Sequence, residues 1–190
     1  MTGADSTGAG MTGADGTGAG MTGADGTGVR LAAATADDLR GLGERLAALL
    51  RAGDLVVLVG ELGAGKTTLT QGIGAGLHVR GDVTSPTFVI AREHRSQVGG
   101  PGLVHVDAYR LGSGAEVDDL DLDAALADSV AVVEWGSGLV EALADSRLEV
   151  HLTRNPDDEV RAVRLVGVGP RWDGVPLAAL VAPAVPGAAR

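Results

Sequence analysis

The stretch "LVVLVGELGAGKTTLT" (residues 55–70) decides the fold of this chain. Its opening "LVVLV" is an unbroken apolar run, the mark of a strand buried on both faces of a sheet. Residues 60–67 then match G-x-x-x-x-G-K-[ST] in full, and "KTTLTQGIGAGL" reads as a helix. Strand, glycine-rich turn and helix in this order make a phosphate cradle. The glycines let successive backbone N–H groups turn toward one anion, and the helix N-terminus adds positive potential. Gly60, Glu61, Leu62, Gly63, Ala64, Gly65, Lys66, Thr67 and Thr68 are therefore the predicted nucleotide site. In such a loop the lysine reaches the terminal phosphates and the hydroxyl after it ligates Mg²⁺.

Lysine usage supports this independently. Lys66 is the one lysine among 15 basic residues, the rest being arginine. A compact ammonium stands where a point charge between phosphates is wanted, and arginine serves elsewhere. With no second lysine, an N-K-x-D guanine-recognition motif is excluded, which favours ATP over GTP.

Composition sets the frame. A chain of 190 residues suits one domain, and 45% apolar residues allow a sizeable core. There is no cysteine, hence no disulfide, thiol nucleophile or cysteine zinc site. No apolar run approaches eighteen residues and no signal-peptide pattern opens the chain, so a cytoplasmic protein without membrane contact is expected. The net charge of −10 is ill suited to gripping nucleic acid directly.

Working outward, residues 1–30 are three copies of a decapeptide such as "MTGADGTGAG", too poor in large apolar groups to offset chain ordering. They are expected to be a disordered tail, with Met1, Met11 and Met21 all possible starts. The folded unit is predicted over 31–170, followed by a short helix near Val175 and a Pro/Ala-rich tail in 171–190. Thr35 caps a helix whose leucines recur at 39, 42, 46 and 49 or 50, with Asp38 completing a capping box. "TFVIAREH" (87–94) and "LVHVDAYR" (103–110) are joined by only eight Gly/Pro-rich residues, too few for a crossover helix, so they form an antiparallel hairpin. A second hairpin is predicted from "RLEVHLTR" (147–154) and "EVRAVRLVG" (159–167), turned by "NPDD". Between them lie an acidic helix near 114–127, a buried strand "VAVVEWG" (130–136) and a helix over 138–144. The expected architecture is a three-layer α/β P-loop NTPase fold, its mixed sheet parallel at the centre and antiparallel at the hairpins.

Asp107 and Glu134 each end a buried strand, where a carboxylate beside a P-loop holds Mg²⁺ or orients the attacking water. Spacing does not choose which of them is the direct ligand. In "TSPTF" (84–88), Pro86 keeps Ser85 extended, so Ser85 and Thr87 offer hydroxyls in the manner of a switch segment. Trp135 is a core residue or a rim aromatic. The acidic run Glu116, Asp118, Asp119, Asp121 and Asp123 is a solvated helix face or a docking surface. Arg92, Arg95 and Arg110 lie toward the expected phosphate end, and the four histidines have no metal-ligand spacing.

In order, "GELGAGKTTLTQGIGAGL", "TSPTFVI", "VHVDAYRL" and "VVEWG" resemble the TsaE family, the ATPase component of bacterial tRNA threonylcarbamoyladenosine synthesis. The resemblance spans about residues 35–165 and leaves the decapeptides and the C-terminal tail without a counterpart. It implies ATP hydrolysis beside a TsaB–TsaD heterodimer, in which TsaD makes the transfer and the partners hold most of the tRNA. It also implies Lys66 and Thr67 at the phosphates, Thr67 and Glu134 at Mg²⁺, and Asp107, Ser85 and Thr87 in hydrolysis. Trp135 would lie near the nucleotide, with Thr35 and Ala36 partly covering the adenine. On the residues alone, a small-molecule kinase or a non-hydrolysing scaffold are the alternatives.

Overall fold

Along the chain of the computed structural model, which describes residues 28–86, 90–111, 122–140, 143–156 and 158–181, the elements alternate as the sequence pattern requires. They are β1 (Val29–Ala33), α1 (Ala36–Ala47), β2 (Leu55–Val59), α2 (Lys66–Gly76), β3 (Ala91–His94) and β4 (Gly102–Asp107). Then come α3 (Leu122–Leu126), β5 (Ser129–Glu134), β6 (Arg147–Arg154) and β7 (Arg161–Val168). Turns of 3-10 helix follow β4 at Ala108–Arg110 and β7 at Pro170–Trp172 and Leu177–Val181.

The strands form one 7-stranded sheet in the order β1-β7-β6-β2-β5-β4-β3. β2 lies parallel to both β5 and β6, and β5 parallel to β4. Both short-loop hairpins, β3–β4 and β6–β7, are antiparallel. The sheet is thus parallel at its centre and antiparallel at its margins, as loop length dictates.

The two faces of the centre are both covered. On one, Leu39, Leu42 and Leu46 of α1 and Leu69 and Ile73 of α2 pack over Val56, Leu58, Val132 and Val150. On the other, Leu126 and Val140 pack against Leu55, Val57, Val104 and Val133. Two glycines let α1 and α2 touch backbone to backbone. A Cβ at Gly72 would stand 2.0 Å from the carbonyl of Arg40, and one at Gly43 2.4 Å from that of Leu69. This contact holds α2, and the loop that opens it, at a fixed depth against the sheet.

Several local expectations change. β1 begins at Val29 and pairs antiparallel with β7, so the sheet includes two residues before Leu31. Trp172, Leu177 and Leu180 are buried in the same cluster as α1, and the segment after 170 is part of the packed unit. The predicted helix near Val175 is a 3-10 turn at Leu177–Val181. Of the helix expected over 138–144, residues 138 and 139 form a turn, and 141 and 142 lie outside the described residues. Gly136 supplies the carbonyl for Leu139 and Val140, and a Cβ on it would stand 2.7 Å from Val133 Cγ1, so only glycine lets this stretch lie so close to the end of β5. Of the acidic helix only α3 falls within the described residues, and the acidic run at 116–121 lies outside them.

Candidate functional site

The loop between β2 and α2 lies at the C-terminal ends of the parallel strands, where open α/β sheets bind ligands. Its path depends on glycine. Gly63 and Gly65 have φ of 80° and 104°, the left-handed region that side chains disfavour. At Gly65 space is also short, since a Cβ would meet Leu39 Cδ2 at 2.5 Å. Leu39 belongs to the first turn of α1, so that turn lies beside the loop. Thr35 and Ala36 start it, but the Thr35 hydroxyl is committed to the capping box, accepting from Asp38 N at 3.1 Å. Ala64 is buried under the loop, whereas Glu61, Leu62 and Gly63 form its exposed crest and Thr67 and Thr68 are half-buried.

Lys66 is the first residue of α2 and is buried. Its ammonium donates to the carbonyls of Gly60 at 2.9 Å and Glu61 at 3.0 Å, within the curl of the loop. It also sits 4.0 Å from the centre of the Trp135 ring, a cation–π contact. Burial lowers the Lys66 pKa from the ordinary 10.5, while the charges of Glu134 and then Asp107 oppose that fall.

The two strand-end carboxylates are neighbours, for Asp107 and Glu134 are cross-strand partners in the β4–β5 register. The Thr67 hydroxyl donates to Glu134 Oε1 at 2.8 Å. The hydroxyl is left with its oxygen lone pairs for a cation while its O–H points at the carboxylate. Together with Asp107 this is an all-oxygen donor set suited to a hard ion such as Mg²⁺, which needs few protein ligands when phosphates supply the rest. Among the described residues there is no cluster of three or more His, Asp or Glu that would make a metal site of protein ligands alone.

Trp135 closes one side. Its φ of 62° is uncommon for a bulky residue and stores local strain, a cost of about 1–3 kcal/mol for such conformations. That conformation turns the chain sharply after Glu134, and Trp135 walls a cleft of about 390 Å³ with Leu58, Val59, Gly60, Glu61 and Ser137. The exposed Tyr109 ring meets Trp135 edge-on with centroids 5.4 Å apart. Asp107 in turn accepts from Tyr109 N at 3.1 Å, which fixes the turn that carries Tyr109.

Lys66, Thr67, Asp107, Glu134 and Trp135 are thereby brought to one place. Ser85 is exposed on the stretch leading to β3, and Thr87 lies outside the described residues. Arg110 follows Asp107 at the site end of β4. Arg95 does not stay with the site. β3 runs antiparallel to β4 and carries Arg95 to the opposite end of the sheet, beside Asp128 and Ser129. His105, given no role by sequence spacing, is fully buried with Nε2 2.9 Å from Glu134 Oε1. The one signal for it was its place two residues before Asp107 in a strand, which puts both on one face.

Comparison with known proteins agrees with this architecture. The family described as "Threonylcarbamoyl adenosine biosynthesis protein TsaE" matches residues 33–163. A protein of Streptomyces coelicolor named tRNA threonylcarbamoyladenosine biosynthesis protein TsaE is 64% identical over 138 residues, covering 70% of this chain and 93% of the relative. Proteins of the same name from Mycobacterium tuberculosis (50% identical; 66% of this chain, 79% of the relative) and Bacillus subtilis (37%; 72% and 84%) are also similar. The crystal structure of YdiB from Bacillus subtilis superposes with a TM-score of 0.65 at 30% identity, over 80% of this chain and 93% of that one. With the family matched over most of its length and the fold shared, this chain belongs to the TsaE family.

Proposed function

We propose that this protein takes part in tRNA threonylcarbamoyladenosine biosynthesis as a Mg²⁺-dependent ATPase that supports a TsaB–TsaD heterodimer. The observation that carries the reading is the Thr67 hydroxyl donating to Glu134 at 2.8 Å, directly after a buried Lys66 in a full P-loop. When bound, ATP with Mg²⁺ supplies a phosphoanhydride whose cleavage by water is the reaction. The chain's own groups do the remaining work. Backbone N–H groups of 60–68 and the α2 N-terminus bind the phosphates, and Lys66 sets one positive charge among them. Thr67 and Glu134 hold the ion, while Asp107, with Ser85 and Thr87 from the switch segment, orients the attacking water. Trp135 and the start of α1 at Thr35 and Ala36 border the nucleotide.

The charge of −10 argues that RNA is held mainly by the partners. Hydrolysis then drives a conformational step in a complex. Among the described residues no helix is long and apolar enough to cross a membrane.

Product analysis tests the chemistry. With Mg²⁺, ATP and the heterodimer, the expected products are ADP and inorganic phosphate in equal amounts, with no acceptor required. Phosphate appearing on a small molecule in place of free phosphate would make the protein a kinase and overturn this reading. Nucleotide bound but never cleaved would make it a scaffold.

A further inference from the structure

We propose that His105 is a positioning residue that fixes the Glu134 carboxylate for a divalent cation at the P-loop. The inference rests on the Mg²⁺-dependent ATPase reading. His105 is 0% exposed, in the middle of β4 and on the face packed by α2. Its cross-strand partner is Val132, two residues before Glu134, so the imidazole lies one step beneath the carboxylate layer. Nε2 is 2.9 Å from Glu134 Oε1, the oxygen that also accepts the Thr67 hydroxyl. An ionised carboxylate only accepts, so Nε2 carries the hydrogen and donates.

The other ring nitrogen, Nδ1, is buried with no partner among the described residues. A buried acceptor left unmet is a standing cost, and an aliphatic side chain would fill the same layer without it. What the imidazole adds is one donor aimed at Oε1 from below. That donor matters because the other one, Thr67, is itself a proposed ligand. Oε1 is held by two donors while Oε2 makes no hydrogen bond among the described residues. An anchor independent of the ligand shell keeps the carboxylate from rotating when the ion arrives. Such outer partners typically govern metal affinity about 10–100-fold.

Calorimetric titration of ATP, in EDTA and across a Mg²⁺ series, tests this on the full chain with three variants. Glutamine places an amide nitrogen near the reach of Nε2, whereas asparagine stops at the reach of Nδ1 and leucine offers no donor. In His105→Leu and His105→Asn the Mg²⁺ concentration needed to strengthen ATP binding should rise about 10–100-fold. His105→Gln should stay within about threefold of wild type, and ATP affinity in EDTA should be alike in all four proteins. If His105→Leu does not fold, the asparagine–glutamine pair carries the comparison. An unchanged Mg²⁺ midpoint in His105→Asn would overturn the inference. So would equal loss of ATP binding in EDTA for every variant, which would mark His105 as packing alone. A wild type whose ATP binding ignores Mg²⁺ would overturn the ATPase reading, and this inference with it.

Discussion

Replacing Lys66 with alanine should lower kcat/KM for ATP hydrolysis by about a thousandfold, the upper end for removing one preorganised charge from a reacting site. The ammonium is the lone lysine of the chain, buried, and held inside the loop by two carbonyls at 2.9 and 3.0 Å. No arginine could take over, since a planar guanidinium does not fit the curl that accommodates a compact ammonium. A pH signature accompanies the loss. Burial lowers the Lys66 pKa in the unliganded protein, and phosphate charge raises it again on binding. ATP affinity is therefore full below the unliganded pKa and falls as pH rises from that value toward the higher one of the complex. Sign and window follow from linkage, the bound form holding more protons there. Wild-type affinity should weaken at a less alkaline pH than an ordinary lysine at 10.5 would give, and Lys66→Ala should lack that weakening. A variant with near-normal turnover would remove Lys66 from the mechanism.

The second large effect is on stability, far from the loop. Arg171→Ala should destabilise the fold by about 3 kcal/mol, the low end for breaking a buried ion pair, measured by urea denaturation. Arg171 binds Asp54 through two bonds of 2.8 Å, Nε to Oδ1 and a terminal nitrogen to Oδ2, and donates a third to the carbonyl of Leu49. Asp54 is 3% exposed at the foot of β2, where it also accepts from the Arg51 N–H at 2.9 Å and faces the exposed Arg51 guanidinium at 3.9 Å. The loss would leave a nearly dry carboxylate facing only the distant, solvated charge of Arg51. It would also release the segment that buries Trp172, Leu177 and Leu180 against the α1 face. Pairing Arg171→Met with Asp54→Leu should recover much of the stability, because apolar replacement of both partners removes the stranded charge. Equal losses in the single and double variants would mean that packing of the segment, not the pair, carries the stability.

Sequence reading went furthest where chemistry is local. The P-loop, its flanking strand and helix, and both hairpins follow from short-range rules, since connections of eight and four residues are too short for a crossover helix. The nearness of Asp107 and Glu134 was legible as two carboxylates at strand ends. What was not legible depends on pairing across the sheet. "VRLAA" at 29–33 becomes a strand only because β7 supplies its partner, and nothing within five residues announces that. His105 has the same history, for its meaning appears once the β4–β5 register sets it beneath Glu134. Arg95 was misjudged for the converse reason, because a hairpin reverses direction and takes the end of β3 away from the site. Trp135 looked like a core residue or a rim aromatic on equal terms, and its left-handed φ turns it over Lys66.

The direct test of the proposed role is Mg²⁺-dependent ATP turnover, measured for wild type and Glu134→Ala, each alone and with purified TsaB–TsaD. Wild-type turnover should rise on adding the heterodimer, and Glu134→Ala should remove that rise, by about 100-fold or more as expected for a group holding charge at the reacting centre. Turnover that the heterodimer neither binds to nor alters would contradict the assignment as its accessory ATPase.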